Sequence, residues 1–207
     1  MRKTIVYQKR ASGTDRPAFF QWVRGEQPRL ASALPGVRRV VVCLEAEGVD
    51  ETFDAAIELE FADAASAASA HASAAGERFN DALRERTSRI ERVDLVPHPF
   101  VNKPPAPFKL MAALKRREDL TRADFKHWWL DKHAPFVVEF PELRRYQVNL
   151  VEDGPEAFVD GIAEVCFADL AALQRVMSRA HVKEVQQDSQ VHTQARYRMV
   201  VEEHVAS

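Results

Sequence analysis

The sequence predicts an α+β fold in which one β-α-β-β-α-β unit occurs twice, and three observations carry that expectation. The first is an internal repeat. Shifting the 207-residue chain by 106 positions lays Lys9-Arg10 on Lys115-Arg116, Phe19 on Phe125, Trp22 on Trp128, Pro35 on Pro141 and Arg38-Arg39 on Arg144-Arg145. The same register continues through Val42 on Val148, Leu44 on Leu150, Gly48 on Gly154, Glu58 on Glu164 and Phe61-Ala62-Asp63 on Phe167-Ala168-Asp169. The second is a proline cluster between the copies, Pro97, Pro99, Pro104, Pro105 and Pro107, which suits a stiff extended connector. The third is that each copy alternates strand-like and helix-like segments in the same order.

Residues 3–10 and 108–115 are strand-like runs bounded by polar turns. In the second copy Thr121-Arg122-Ala123-Asp124 provides a helix N-cap with an acidic residue three positions on. Phe125, Trp128, Trp129, Lys132, Phe136 and Glu139 then form a partly apolar helical stripe up to Pro141, with a kink or early end expected at Pro135. Strands follow at 143–151 and 158–167, joined by the turn-forming Glu152-Asp153-Gly154-Pro155. The first copy has the matching pair at 37–46 and 53–61, with Gly48 between. A second helix is expected at 169–187, where Leu170, Leu173, Met177, Ala180 and Glu184 recur at helical spacing, and a last strand at 191–201. Its counterpart from Ala62 to Ala75 has nine alanines in 14 residues and reads as a slim scaffold helix.

This is the split βαβ, or ferredoxin-like, arrangement, at 1–96 and again at 108–207, with 97–107 as a Pro-rich linker. A four-stranded antiparallel sheet with helices on one face leaves the other face apolar and in need of cover. Two copies in one chain can bury those faces against each other as a pseudo-dimeric α+β barrel.

Composition narrows the partners. With 29 basic and 31 acidic residues, net charge −2 and no run of five like charges, the chain lacks the electrostatic footprint of a nucleic-acid or membrane-surface binder. Apolar runs such as Val40 to Leu44 fall far short of the roughly 18 residues of a membrane span. Met1-Arg2-Lys3-Thr4 enters a strand-like segment without a signal-peptide core, so the chain reads as cytoplasmic. Cys43 and Cys166 have no CxxC or metal spacing and read as buried thiols.

The stretch from Leu120 through His127-Trp128-Trp129-Leu130-Asp131-Lys132-His133-Ala134-Pro135, followed by Pro141-Glu142-Leu143-Arg144-Arg145-Tyr146, resembles the EthD family of dimeric α+β barrel proteins. Asp160-Gly161-Ile162-Ala163-Glu164-Val165-Cys166-Phe167 is similar to that family's third-strand motif, where an aromatic often replaces Cys166. The resemblance covers most of 108–207 and reaches the first copy only through the repeat. It implies a barrel-type pseudo-dimer, and a family in which cofactor-independent cyclases, lactone isomerases, decarboxylases and dehydratases of phenolic or polyketide compounds have been placed.

Five of the seven histidines, His127, His133, His181, His192 and His204, lie in the second copy. Where that copy has His127 and His133 the first has Gln21 and Gln27, while Trp22 persists opposite Trp128. Imidazole takes up and returns protons near neutral pH, so His133 is the leading general acid or base. Tyr146, opposite Val40, sits in the family-like Arg-Arg-Tyr motif and can donate a hydrogen bond to a developing oxyanion. His127, six residues from His133 and about 240° around an ideal helix, is a third catalytic candidate, although Asp131 one turn on offers it a surface partner. Trp129, Trp128, Lys132 and His181 are candidate substrate contacts, with Trp128 also a core candidate. Glu58 and Glu164 read as ion-pair partners of the repeated arginines, and Asp54 and Asp160 likewise match. No histidine spacing fits a metal, and no cofactor motif is present, so neither is expected.

The expectation is therefore a cofactor-independent enzyme with one site in the second copy. It would act by His and Tyr proton transfer on a small aromatic, lactone or polyketide-like compound, as a lyase, decarboxylase, isomerase or cyclase. The alternatives are a cofactor-free monooxygenase of the same superfamily and a non-catalytic ligand-binding barrel. Further pairing into a homo-oligomer stays open.

Overall fold

The computed structural model describes residues 1–46 and 52–206, so the turn expected at Gly48 lies outside the described residues. The chain forms two compact units, Met1–Leu95 with Val201–Ser207, and Val96–Val200.

The first unit comprises β1 (Arg2–Arg10), α1 (Arg16–Arg24), α2 (Glu26–Ser32), β2 (Arg39–Glu45), β3 (Ala55–Phe61), α3 (Ala64–His71), α4 (Ala74–Arg86) and the first part of β4 (Thr87–Asn102). β1 lies between β3 and β4 in antiparallel register, Ile5 facing Glu58 on one side and Val93 on the other. β2 pairs with β3 and, at its other edge, with the last residues of the final strand. One sheet face packs Val6, Val42, Ile57 and Phe61 against Phe19, Trp22 and Phe79 of the helices.

The second unit repeats the plan. It has β5 (Phe108–Arg116), α5 (Arg122–His127), a π-helical turn (Trp128–His133), α6 (Ala134–Val138), β6 (Arg145–Leu150), β7 (Gly161–Phe167), α7 (Leu170–Met177), α8 (Ala180–His192) and β8 (Thr193–Val205). β7 lies between β5 and β6, and Leu110, Tyr146, Val148 and Val165 meet Phe125, Trp129, Leu173 and Val185 on the helix side. β4 and β8 each run from one unit into the other, so the hydrogen-bonded strand order closes as β1-β3-β2-β8-β5-β7-β6-β4. The fold is α+β with an eight-stranded antiparallel barrel order.

On the face away from the helices, Lys3 Nζ meets Glu58 Oε2 at 2.9 Å, and Lys109 Nζ meets Glu164 Oε2 at 3.2 Å. All four side chains are buried. Each repeated glutamate thus has a buried lysine partner. Arg10 and Arg116 serve Asp54 and Asp160. Cys43 and Cys166 are buried thiols, and Cys43 Sγ donates to Glu58 Oε1 at 3.4 Å.

Three local expectations are corrected. Residues 97–102 are strand, not linker: β4 pairs Pro97 with Asn149 and Pro99 with Gln147. Alternate prolines withdraw donors from one side of a strand only, and β1 no longer pairs with β4 beyond Leu95, so that loss is tolerated. The helix expected at 169–187 is two, α7 and α8, because the Ser178 hydroxyl caps Arg175 O and Arg179 adopts extended backbone. The alanine-rich stretch breaks likewise, where Ser73 Oγ accepts the Gly76 amide to start α4. A Cβ at Gly76 would sit 2.4 Å from His71 O, so only glycine permits this close turn. At Pro135 the missing N–H cannot reach Asp131 O, and the chain opens into the π-helical turn just before it.

Among the described residues, no helix is long and apolar enough to cross a membrane.

Candidate functional site

The second unit holds a cavity of ≈ 60 Å³ between β5, β6, β7, β8 and the inner faces of α6, α7 and α8. Its walls are mostly apolar, with Leu110, Val137, Phe140, Val165 and Met177 among them. Six side chains with polar atoms also line it: Trp129, His133, Tyr146, Gln186, Ser189 and Arg198. At this size it is well below the ~150 Å³ cavity known to admit benzene, and the long side chains of Met177 and Gln186 stand in its wall.

The π-helical turn puts His133 at the cavity, 7% exposed. Its Nδ1 lies 2.7 Å from Asp188 Oδ2, one carboxylate face of α8. A carboxylate only accepts, so Nδ1 carries the hydrogen and Nε2 keeps the lone pair. Nε2 has no hydrogen-bond partner among the described residues. Burial holds the imidazole below its ordinary pKa of 6.5, while Asp188 pulls it back up. The result is a neutral ring at pH 7 whose basic nitrogen is uncommitted.

Asp188 is itself held. Trp128 Nε1 donates to the same oxygen at 3.1 Å, and the Trp128 ring stacks on His192 at 4.3 Å. His192 Nδ1 lies 2.9 Å from Asp188 O. Trp128 therefore acts beneath the site, holding the carboxylate that holds His133.

Tyr146 is fully buried, and neither its Oη nor Trp129 Nε1 has a hydrogen-bond partner among the described residues. Burial drives the phenol pKa well above its ordinary value, with the Trp129 indole opposing, so the hydroxyl stays protonated and able to donate. Both donors belong to residues that line the same cavity. Trp129 is held there by a close approach: a Cβ at Gly161 would lie 2.6 Å from its Cζ3.

The structure brings His133, Tyr146 and Trp129 together and leaves the other candidates outside. His127 is exposed and paired with Asp131, Nδ1 to Oδ2 2.7 Å, so it has no access to the cavity. Lys132 points to solvent, because the π-helical turn buries its neighbour His133 instead. His181 packs edge-on against Phe140 and does not line the cavity. Sequence reasoning missed Asp188, Gln186, Ser189 and Arg198. The repeat carried a signal for Asp188: its counterpart is Ala82. In the first unit Gln27, opposite His133, donates to Gln8 Oε1 at 2.6 Å, and Trp22 Nε1 is buried without an acceptor. Histidine and aspartate are thus lost together. Among the described residues no cluster of three or more His, Cys, Asp or Glu side chains could hold a metal ion.

Residues 117–194 match the EthD domain. The matched segment contains Trp129, His133, Tyr146, Gln186, Asp188 and Ser189, and stops four residues short of Arg198. Solved structures matching along the whole chain are more distant in sequence. An anthrone oxidase-like protein aligns over 100% of this chain and 92% of its own with TM-score 0.76 and 11% identity. Proteins provisionally assigned as monooxygenases align over 100% of this chain from Fusobacterium nucleatum (94% of its own chain, TM-score 0.65, 7% identity) and from Lactobacillus acidophilus (95%, 0.60, 14%). At such identities the likeness concerns the fold, in which one chain spans both repeats. A search of the curated proteins finds no match.

Proposed function

We propose that this chain is an enzyme working without a cofactor, whose EthD segment catalyses proton transfer on a small, largely apolar compound of aromatic, lactone or polyketide type. The observation that carries this reading is the His133–Asp188 pair, with an uncommitted Nε2, at a cavity also lined by the buried donors of Tyr146 and Trp129. His133 Nε2 takes a proton from a C–H or O–H of the substrate, and Asp188 stabilises the imidazolium that results. Tyr146 Oη–H and Trp129 Nε1–H donate to the oxygen on which negative charge develops. The imidazolium then returns the proton at a new position or to a leaving group. That sequence serves isomerisation, ring closure, decarboxylation and loss of water alike.

A second reading is a cofactor-free monooxygenase, in which the deprotonated substrate itself reacts with dioxygen. What favours it is that proteins of the same fold are described as monooxygenases and as anthrone oxidase-like. One experiment separates the readings: incubation of the purified chain with a small-molecule metabolite extract in deuterated water, in air and without oxygen. Proton-transfer chemistry consumes a compound in both atmospheres, and where carbon is reprotonated, as in isomerisation or decarboxylation, it leaves deuterium on the product. Consumption only in air, with oxygen uptake, selects the monooxygenase, and no consumption in either selects a binding barrel.

A further inference from the structure

The two repeats differ at the strand pair beside Tyr146. In the first unit Val41 faces Val205, and the next amide along, that of Ala206, donates to Val40 O at 3.0 Å, so the ladder runs on in register. In the second unit Gln147 faces Pro99 but Tyr146 faces Val101, and Phe100 is left over between them. A bulge of this kind inserts one unpaired residue, bends the strand and re-aims a side chain. Here the Phe100 ring comes to lie 5.4 Å from the Tyr146 ring, the two planes tilted by 31°. The offset of 106 that puts Tyr146 opposite Val40 also puts Phe100 opposite Ala206. Two small side chains in one repeat thus correspond to two touching aromatic rings in the other. Phe100 is not among the side chains that line the cavity, and it lies outside the segment that matches the EthD domain.

We infer that Phe100 is a positioning residue for the proposed reaction: it holds the Tyr146 ring and covers it from solvent, so that the phenol hydroxyl donates into the cavity from a fixed, dry position. The inference rests on the reading of Tyr146 as donor to the developing oxyanion. Such a donor stabilises charge to the extent that it is fixed beforehand and shielded from water. Tyr146 is fully buried, whereas Phe100 beside it is 38% exposed. An exposed phenylalanine alone needs no explanation. One delivered by a bulge onto the ring of a buried tyrosine, with neither ring present in the other repeat, does. Tilted ring pairs attract beyond their area of contact, which restrains Tyr146 against rotation. Burial also keeps the phenol protonated well above its ordinary pKa of 10, and removing the Phe100 ring thins that cover.

The test is a double-mutant cycle between Phe100 and Tyr146 on the full chain, read as kcat and KM on whichever compound the wild type consumes. Beside it runs nitration of Tyr146 by tetranitromethane near neutral pH, read by peptide mass spectrometry, with half-buried Tyr197 as the control. F100A should lower kcat by about tenfold, the middle of the range for coupled neighbours, with KM within about twofold of wild type. In a Y146F background the same substitution should change kcat less than about twofold, because the hydroxyl it serves is gone. Nitration of Tyr146 should be severalfold faster in F100A than in the wild type, while that of Tyr197 stays the same. F100L keeps an apolar cover, so it should recover part of both effects, and it carries the test if F100A does not fold. An equal fall in kcat in both backgrounds, or a nitration rate of Tyr146 unchanged by either substitution, overturns the inference. Full activity of Y146F would instead sink the reading of Tyr146 as donor, and an impaired Y146F beside a fully active F100A would sink the inference alone.

Discussion

His133 donates Nδ1–H to Asp188 Oδ2 across 2.7 Å, from a π-helical turn to a helix 55 residues further along the chain. The pair fixes the tautomer and leaves Nε2 with its lone pair. Asp188 is a positioning residue, and Asp188→Asn should lower kcat by roughly 10²–10⁴ with little change in KM. Because the carboxylate favours imidazolium, its loss should also shift the acid limb of the pH–rate profile to lower pH. A purely structural role for Asp188 would leave that limb in place.

The wild-type profile carries its own expectation. Burial is the main cause acting on His133, and it holds the imidazole below 6.5, so kcat/KM should rise from acid to plateau with a midpoint under that value. The sign for stability follows. Below pH 6.5 the unfolded imidazole binds a proton that the folded one resists, so stability falls as pH drops from there toward the lowered folded pKa. His71 is lowered in the same sense, again mainly by burial, and adds to the slope. Denaturation at about pH 7.5 and about pH 5.5 should show the drop, reduced but not abolished in His133→Gln.

Tyr146→Phe separates a catalytic hydroxyl from a packing one. The phenol oxygen is buried without a hydrogen bond among the described residues, so its removal should leave folding stability unchanged or slightly raised. Turnover should nevertheless fall by roughly 10²–10³, the loss typical of one donor to a developing oxyanion. Thermal denaturation and a rate assay on the same preparation check both halves.

Gly161→Ala should act through Trp129. The added methyl would meet Trp129 Cζ3 of the site wall, Leu150 Cδ2 and the fixed backbone Asn149 O at 2.6, 2.8 and 2.9 Å. Overpacking of this kind costs roughly 1–3 kcal/mol. The variant should melt earlier and bind ligand more weakly, and a shifted tryptophan fluorescence should report the displaced indole.

The repeat made both sheets legible, because a constant offset of aligned apolar and charged residues fixes the strands in each copy together. The helix breaks were not legible, since Ser178 and Ser73 act as caps through local hydroxyl bonds that a hydrophobic stripe does not record. His133 and Tyr146 stood out because Gln27 and Val40 replace them while Trp22 persists. Asp188 was hidden by its distance along the chain, although Ala82 opposite it carried the same kind of contrast. Arg198 was hidden for the opposite reason: Arg92 repeats it, and a repeated residue reads as frame. His127 looked like chemistry in the sequence, but the π-helical turn rotates His133 inward and leaves His127 on the surface with Asp131.

The central claim is that His133 is the proton-transferring group and that the first repeat has no working counterpart. The most direct measurement is the turnover rate of His133→Gln beside that of Gln27→Ala, on whichever compound the wild-type chain consumes. His133→Gln copies the residue already present in the first repeat, so it should fold with a stability within about 1 kcal/mol of wild type. Its rate should fall by roughly 10²–10⁴, while Gln27→Ala stays within a few-fold of wild type. Full activity in His133→Gln, or an equal loss in Gln27→Ala, would contradict the account.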